Sequence, residues 1–517
     1  MNTDSRTVNS IRNIGAGFVG QILQAAVGFI SRTVFINYLA VEYLGINGLF
    51  SSILSVLSLT ELGVGTAFIY SLYKPLAEKN KQAIATIMRL YKKVYISIGI
   101  AVFILGLCVL PFLDLIIEEK PENVVENLSF LYLFFLFNTA STYFFNYKTA
   151  LLNADQRNFI TTINYAAFYI LQNIAQIIVL IVTKNFIYYL SAQLIFQFLG
   201  NLTISLIVDR MYPFLKEFKK EKIDPIIKKQ IISNAKATFL IRIGGVMVNN
   251  TDNIIVNYFS GLALLGYLTN YTLLIGILTT FIAQVFNNIS ASIAQVNAIE
   301  SKEKQYEIFN MVNLANFWIY GFCSICIIVL MNDFIVVWVG ESFTLPVSIS
   351  VMLAINFFML GMQNAIWTFK TTYGYFNEGK YLVILTAVLN LGFSFALGHV
   401  YGLLGILMAT ALSRLVSNFW YDPYIVFKLG LKIPPVVYLK KFLIYVLIIT
   451  FAGITTYYIA QFCNFSRVIN LIIKAVLCIL IPNTIIVLCY KNTPEFHKVV
   501  QTFKASYQSI TKKIRKG

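Results

Sequence analysis

The sequence predicts an all-α integral membrane protein of about fourteen transmembrane helices, laid out as two parallel, pseudo-twofold six-helix lobes followed by two extra C-terminal helices. Three observations predict it: a composition too apolar to solvate, repeated windows of membrane length, and basic residues confined to one side. Of 517 residues, 58% are hydrophobic and 12% charged, with a mean hydropathy of +0.72. So few charges cannot cover an ordinary globular surface. Apolar windows long enough to cross a hydrocarbon core of ~30 Å as helices recur at 12–38, 44–73, 94–117, 128–152, 159–183, 186–210, 234–260, 262–296, 308–331, 347–372, 381–400, 402–427, 442–462 and 468–490. Helix is the expected state because lipid offers no partner to backbone amides outside helices and closed barrels.

Taken in order, the segments between these windows alternate in charge. Before span one, "MNTDSRTVNSIRN" lacks the short apolar core and small-residue site of a cleavable signal, so the first helix is expected to stay. With both termini inside, the cytoplasmic segments hold 31 of the 40 Lys and Arg, including six in 74–93, eight in 210–236 and seven in the tail. Outside loops hold only Lys120, Lys184 and Arg467, and "EEKPENVVE" and "NDFIVVWVGESF" on that side are acidic. This positive-inside pattern orients a multi-pass protein N-in and C-in, as in a bacterial inner membrane. It also accounts for the net charge of +17 without a nucleic-acid partner. The tail "KASYQSITKKIRKG" is expected near anionic membrane lipids.

Weak echoes recur at one nearly constant offset. "INYLAVEYLG" (36–45) matches "VNYFSGLALLG" (256–266), pairing Asn37 with Asn257 and Gly45 with Gly266; Glu78 pairs with Glu300, and Lys148 with Lys370. Six helices separate the copies, and an even number returns the chain to the same side, so the repeats are parallel. The expected domains are therefore an N-terminal lobe at 1–215, a charged linker at 216–233, a C-terminal lobe at 234–430, spans thirteen and fourteen at 431–490, and a basic tail at 491–517. Paired bundles of this kind carry substrate at their interface by alternating access, which points to a transporter.

An ionisable group near a helix centre costs about 2.5–3.5 kcal/mol, so those present are informative. Lys148, Lys370 and Lys474 sit near span ends and are expected to snorkel as anchors. Arg32, Glu61, Arg242, Asp252 and Arg414 lie deeper. On span one, Gln21, Gln24, Gly28 and Arg32 share a face; on span seven, Arg242, Asn249 and Asn253 do; span eight adds Asn270, Gln284, Asn288 and Gln295. Two readings stay open. The stripes line a wet cleft, in which Arg32, Arg242 and Arg414 hold an anion and the amides Gln21, Gln24, Asn249, Asn253, Gln284 and Asn288 line its path. Alternatively, Arg32 fastens to Glu61 and Arg242 to Asp252 inside sealed bundles. Glu61 and Asp252 are also the places for H⁺ or Na⁺ coupling; no other cofactor is expected.

Enzyme motifs fail in context. "GYFNEGKY" (374–381) matches G-x-x-x-x-G-K but has Tyr381 where a magnesium-binding hydroxyl belongs, and no strand precedes it. With only His399 and His497 in the chain, no His cluster supports zinc or acid–base chemistry. "CSIC" (323–326) sits mid-span, and the six cysteines form no disulfide framework.

"SRTVFINYLAVEYLGINGLFSSILSVLSLTELGVGTAF" (31–68) and "SLYKPLAEKNKQAIATIMRLYKKVY" (71–95) resemble the Wzx-type polysaccharide flippases. These belong to the superfamily of multidrug, oligosaccharidyl-lipid and polysaccharide exporters, which includes the lipid II flippase. The resemblance implies translocation of an undecaprenyl-diphosphate-linked oligosaccharide repeat unit from the cytoplasmic to the periplasmic leaflet for surface polysaccharide synthesis, without ATP hydrolysis by the chain. It implies a V-shaped pair of lobes around a cationic cavity, and a polysaccharide polymerase and glycosyltransferases as partners. Within the matching stretch lie Arg32 and "ELGVGTA" with Glu61, Gly63 and Gly65; Arg242, Asp252 and Arg414 rest on polarity and repeat alone. The alternatives are a multidrug exporter of cations with the same architecture, and a membrane-embedded glycan-transferring enzyme.

Overall fold

The computed structural model describes residues 6–61, 63–117, 120–218, 225–375, 378–463, 465–502 and 504. Among them all regular structure is helical, as the composition requires. The chain divides into two compact units, Met1–Gly266 and Tyr267–Gly517.

The first unit holds α1 (Arg6–Tyr38), α2 (Glu42–Leu57), α3 (Val64–Ala77), α4 (Lys81–Val109), α5 (Leu113–Ile116), α6 (Leu128–Asn146), α7 (Thr149–Ala154), α8 (Asn158–Thr183) and α9 (Phe186–Met211). It also takes the start of α10 (Pro225–Ile299). The second unit holds the rest of α10 with α11 (Lys302–Trp338), α12 (Val347–Thr372), α13 (Lys380–Val416), α14 (Asn418–Ile425), α15 (Val436–Gln461) and α16 (Arg467–Tyr490).

Eleven helical stretches among the described residues are long and apolar enough to cross a membrane. Two of them, Asn250–Gln284 and Tyr381–Leu431, each join two expected spans. The joints are Gly261 (φ 77°, ψ 170°) and Gly402 (φ 55°, ψ −133°), conformations closed to a residue with a Cβ. Counting those two twice and adding the shorter apolar helix Glu42–Leu57 recovers the fourteen expected spans. Polar caps start the helices where loops meet the membrane: Asn80 accepts from the Ala83 amide at 3.0 Å to begin α4, and Asn185 accepts from Ile187 at 2.8 Å to begin α9.

Span two departs from the expected continuous helix. α2 ends at Leu57, a 3₁₀ turn covers Ser58–Glu61, and Gly63 (φ 84°) opens α3. The sequence "TELGVG" supplies the reason, since a carboxylate and two glycines weaken helix mid-span. Behind the break, Phe68 stacks on Tyr91 at 4.2 Å, and Tyr91 meets Tyr95 edge-on at 4.5 Å, within a large buried core of this unit.

Repeat-equivalent positions behave alike. Lys148 reaches Ser205 Oγ and Asp209, both at 2.7 Å, and Lys370 reaches Asp422 at 2.6 Å. Lys474, the third lysine expected to anchor in headgroups, bonds Asp333 at 2.5 Å. None of the three snorkels to water, because a carboxylate on a neighbouring helix is nearer. Asp209 and Asp422 fall inside the expected spans 186–210 and 402–427, near their ends.

Residues 234–266, expected with the C-terminal lobe, cluster with the first unit. Asn253 donates to Ser52 Oγ at 2.9 Å and Asn257 to the Ile116 carbonyl at 2.6 Å. The contact between the two helical corners is reciprocal. A Cβ on Gly45 would lie 2.0 Å from the Leu262 carbonyl oxygen, and one on Gly266 would lie 2.3 Å from the Val41 carbonyl oxygen. Each glycine therefore seats the backbone four residues before its own repeat partner.

Candidate functional site

The break in span two opens onto a cavity of about 560 Å³ within the first unit. α2 contributes Ser51, Leu54 and Ser55; the break contributes Ser58, Glu61 and Gly63; α3 contributes Gly65 and Thr66. The opposite wall is Phe135, Asn138, Thr139 and Tyr143 from α6, with Gln193 of α9 and Asn250 of α10. Among the described residues Glu61 is the one charged group in the lining, and no Lys or Arg joins it. By residue count Glu61 stands near the middle of span two, so the cavity sits deep in the membrane.

Glu61 accepts a hydrogen bond from the Tyr95 hydroxyl at 2.6 Å, and Tyr143 lines the same cavity as Glu61 and Ser58. Gly65 makes room for these phenols: a Cβ there would stand 3.1 Å from Tyr95 Oη and 3.3 Å from Tyr91 Oη. A short bond from a phenol to a carboxylate is charge-assisted and fixes the acceptor in place.

The remaining wall is rich in acceptors. Ser58 Oγ donates to the Leu54 carbonyl at 2.8 Å, Thr66 Oγ1 to Gly63 at 3.0 Å, and Ser51 Oγ to Asn47 Oδ1 at 3.4 Å. Asn138 Nδ2 donates to Gln197 Oε1 at 2.8 Å, while its buried Oδ1 has no hydrogen-bond partner among the described residues. The three hydroxyls spend their hydrogens on the protein and keep oxygen lone pairs for the cavity.

Arg32 lies apart from this wall. It is half-buried on α1, within electrostatic reach of the Tyr189 and Tyr169 phenols. Gly28, one turn earlier, brings α1 close to α8, where a Cβ would stand 2.8 Å from Tyr169 Oη. Gln21 and Gln24, on the same face of α1, are half-buried, and Gln21 Oε1 is closed off from solvent.

Asp252 and Asn253 are half-buried on α10, with Asn253 tied to Ser52. Gln284 and Arg414 are half-buried in the second unit, on α10 and α13. The side chains of Arg242, Asn249 and Asn288 lie outside those described. The structure thus brings Glu61 into a polar cavity together with residues that sequence reasoning missed: Tyr95, Tyr143, Asn138, Gln193 and Asn250. One signal was available. Ser51, Ser55 and Ser58 recur at helical spacing on the approach to Glu61.

The second unit encloses a space of a different kind, about 700 Å³, walled by α11, α12 and α15 with Ile325, Ala354, Phe358, Phe442 and Ile449 among its lining. Its walls are almost wholly apolar.

No protein-family model matches the chain, and no curated protein does. Several solved structures share its fold. The lipid II flippase MurJ in an inward closed conformation aligns over 94% of this chain and 99% of its own, with TM-score 0.63 and 14% identity. An inward-facing multidrug resistance MATE family transporter of the MOP superfamily aligns over 81% of this chain and 99% of its own, with TM-score 0.62 and 14% identity. A mutant form of the Vibrio cholerae MATE transporter VcmN aligns over 83% of this chain and 98% of its own, with TM-score 0.55 and 12% identity. At this identity the likeness is one of fold: the chain is built on the helical membrane fold that MurJ and the MATE transporters share.

Proposed function

We propose that the chain is a flippase that moves undecaprenyl-diphosphate-linked oligosaccharide repeat units from the cytoplasmic to the periplasmic leaflet by alternating access, for surface polysaccharide synthesis. It works in a bacterial inner membrane with both termini in the cytoplasm, and its lobes follow the sequence repeat. The observation that carries this reading is the cavity of about 560 Å³ beside Glu61, walled by ten polar side chains at membrane depth. Polar groups so placed are costly and mark the path of a polar cargo. MurJ, with the same fold, is a lipid II flippase, which makes a lipid-linked headgroup the natural cargo. In this reading Arg32 meets the diphosphate, with Arg242 and Arg414 as further anion contacts and Gln21, Gln24, Asn249, Asn253, Gln284 and Asn288 along the sugar path.

Deleting the gene in its native strain should trap the lipid-linked repeat unit on the cytoplasmic leaflet, where an externally added glycosidase cannot reach it in intact spheroplasts. Normal surface polysaccharide in the deletion strain would refute the reading. One observation favours a second reading, a cation exporter: Glu61 lines the cavity with no basic residue among the described lining. Drug-efflux assays in a sensitised host separate the two, because a flippase of this kind should confer no resistance.

A further inference from the structure

The cavity of the first unit has a chemistry more particular than polarity. Four planar groups face it, the Glu61 carboxylate and the carboxamides of Asn138, Gln193 and Asn250. A planar carboxylate or carboxamide presents two polar atoms side by side, which matches adjacent hydroxyls on a sugar ring. Phe135 and Tyr143 add the apolar faces against which the C–H face of a ring can lie. At about 560 Å³ the space falls within the range of small-ligand sites.

Several donors around this wall are already engaged within the protein. Ser51, Ser58 and Thr66 give their hydrogens to the protein, Asn138 gives one amide hydrogen to Gln197, and Tyr95 gives its hydrogen to Glu61. Asn138 Oδ1 is an acceptor without a hydrogen-bond partner among the described residues. A carboxylate with no Lys or Arg among the described lining attracts hydroxyl, acetamido N–H and ammonium groups. It repels a second carboxylate, and at membrane depth that repulsion is weakly screened.

We infer that this cavity is a saccharide subsite that takes an uncharged or amino-bearing sugar and excludes a uronic acid, with Glu61 as the residue that sets the selection. This assignment rests on the flippase reading. The diphosphate is held elsewhere, since no Lys or Arg is among the described residues of the wall. The anionic anchor and the sugar pocket are then separate features of one substrate path.

The full chain, purified and reconstituted in nanodiscs, tests this with three probes: undecaprenyl diphosphate alone, and the same lipid carrying a single N-acetylglucosamine or a single glucuronic acid. Native mass spectrometry gives their relative affinities. The wild type should favour the N-acetylglucosamine probe over the glucuronic acid probe by at least about tenfold, or 1.4 kcal/mol. Glu61→Gln, which keeps the shape and an acceptor for Tyr95, should bring that ratio close to one. Asn138→Asp, which adds a second carboxylate, should widen it. Each ratio compares two probes on one preparation, so a general loss of folded protein cancels.

Equal binding of the two glycosylated probes to the wild type overturns the subsite, as does a ratio that Glu61→Gln leaves unchanged; either result leaves the flippase reading standing. Failure of all three probes to bind overturns both.

Discussion

Arg32 and Glu61 stand about eight helical turns apart along the chain, and phenols lie near each of them. Arg32 has Tyr189 and Tyr169 near it, and Glu61 has Tyr95 at 2.6 Å. A phenol can orient a charged group by hydrogen bonding without supplying an opposite charge. Arg32→Ala should abolish or strongly reduce flipping in proteoliposomes with normal expression and melting temperature, and Arg32→Lys should restore part of it, because an ammonium lacks the planar fork. Tyr95→Phe removes a bond to a carboxylate in a confined site and should cost about 2 kcal/mol of stability, read as a lowered melting temperature in detergent. The charged members of this site were legible in the sequence, because a carboxylate or guanidinium inside an apolar window announces itself. Tyr95, Asn138 and Gln193 were not. They are ordinary residues for a membrane helix, and only packing of α4, α6 and α9 behind the break brings them to Glu61.

Helix pairs carry the clearest energetic consequences. Lys370 and Asp422 bind at 2.6 Å with their side chains 12% and 6% exposed, while Lys148 and Asp209 bind at 2.7 Å with 12% and 25% exposed. Removing one partner of a buried pair strands the other, at a cost of about 3–5 kcal/mol. Lys370→Met and Asp422→Leu should each destabilise strongly, and the double variant should recover most of the loss in a thermal double-mutant cycle. The corresponding Lys148→Met change should cost less, since Asp209 can turn to water. Outside the membrane, Glu495 joins the C-terminal segment to α15 through Lys441 at 2.9 Å. Burial pushes the Glu495 carboxyl upward, but the Lys441 hydrogen bond, its own backbone bond and the Lys441 charge together hold it below the usual glutamate range. A depressed carboxyl stabilises above its ordinary pKa and loses that contribution as pH falls through the lowered value. Protection of the amides in residues 493–502, corrected for the intrinsic pH dependence of exchange, should therefore be high at neutral pH and fall only below the ordinary glutamate range; protection that does not change with pH would show that Lys441 does not hold the segment. Elements of this length were readable from hydropathy, fourteen windows for fourteen spans. The break at 58–63 was not, because a hydropathy window averages over a single glycine with positive φ.

Across the full chain, the two units hold unlike cavities: a polar one around Glu61 in the first, an apolar one between α11, α12 and α15 in the second. Repetition was legible through a few matched residues, and the paired lysines add like contacts that no alignment of letters could supply. Which helices cluster with which was less legible, because the contacts that tie residues 234–266 to the first unit include two close backbone approaches at Gly45 and Gly266, which no pattern of polarity announces. Gly45→Val and Gly266→Val each place new carbons against a carbonyl oxygen. Both should force the corners apart and impair transport alike, and Gly→Ala should show the same effect more weakly in a flipping assay.

Gly45 against Leu262 and Gly266 against Val41 are one contact made twice, with the roles exchanged. In assemblies of separate chains that reciprocity marks an isologous dimer interface, in which one surface patch meets its own copy across a twofold axis. Here the same reciprocity lies within one chain, at two glycines that the sequence echoes pair with each other. Arg32, five residues before Asn37, and Asp252, five before Asn257, occupy equivalent places with opposite charge. Two identical subunits could present only two arginines or two aspartates at such a pair of positions, whereas one chain can present one of each.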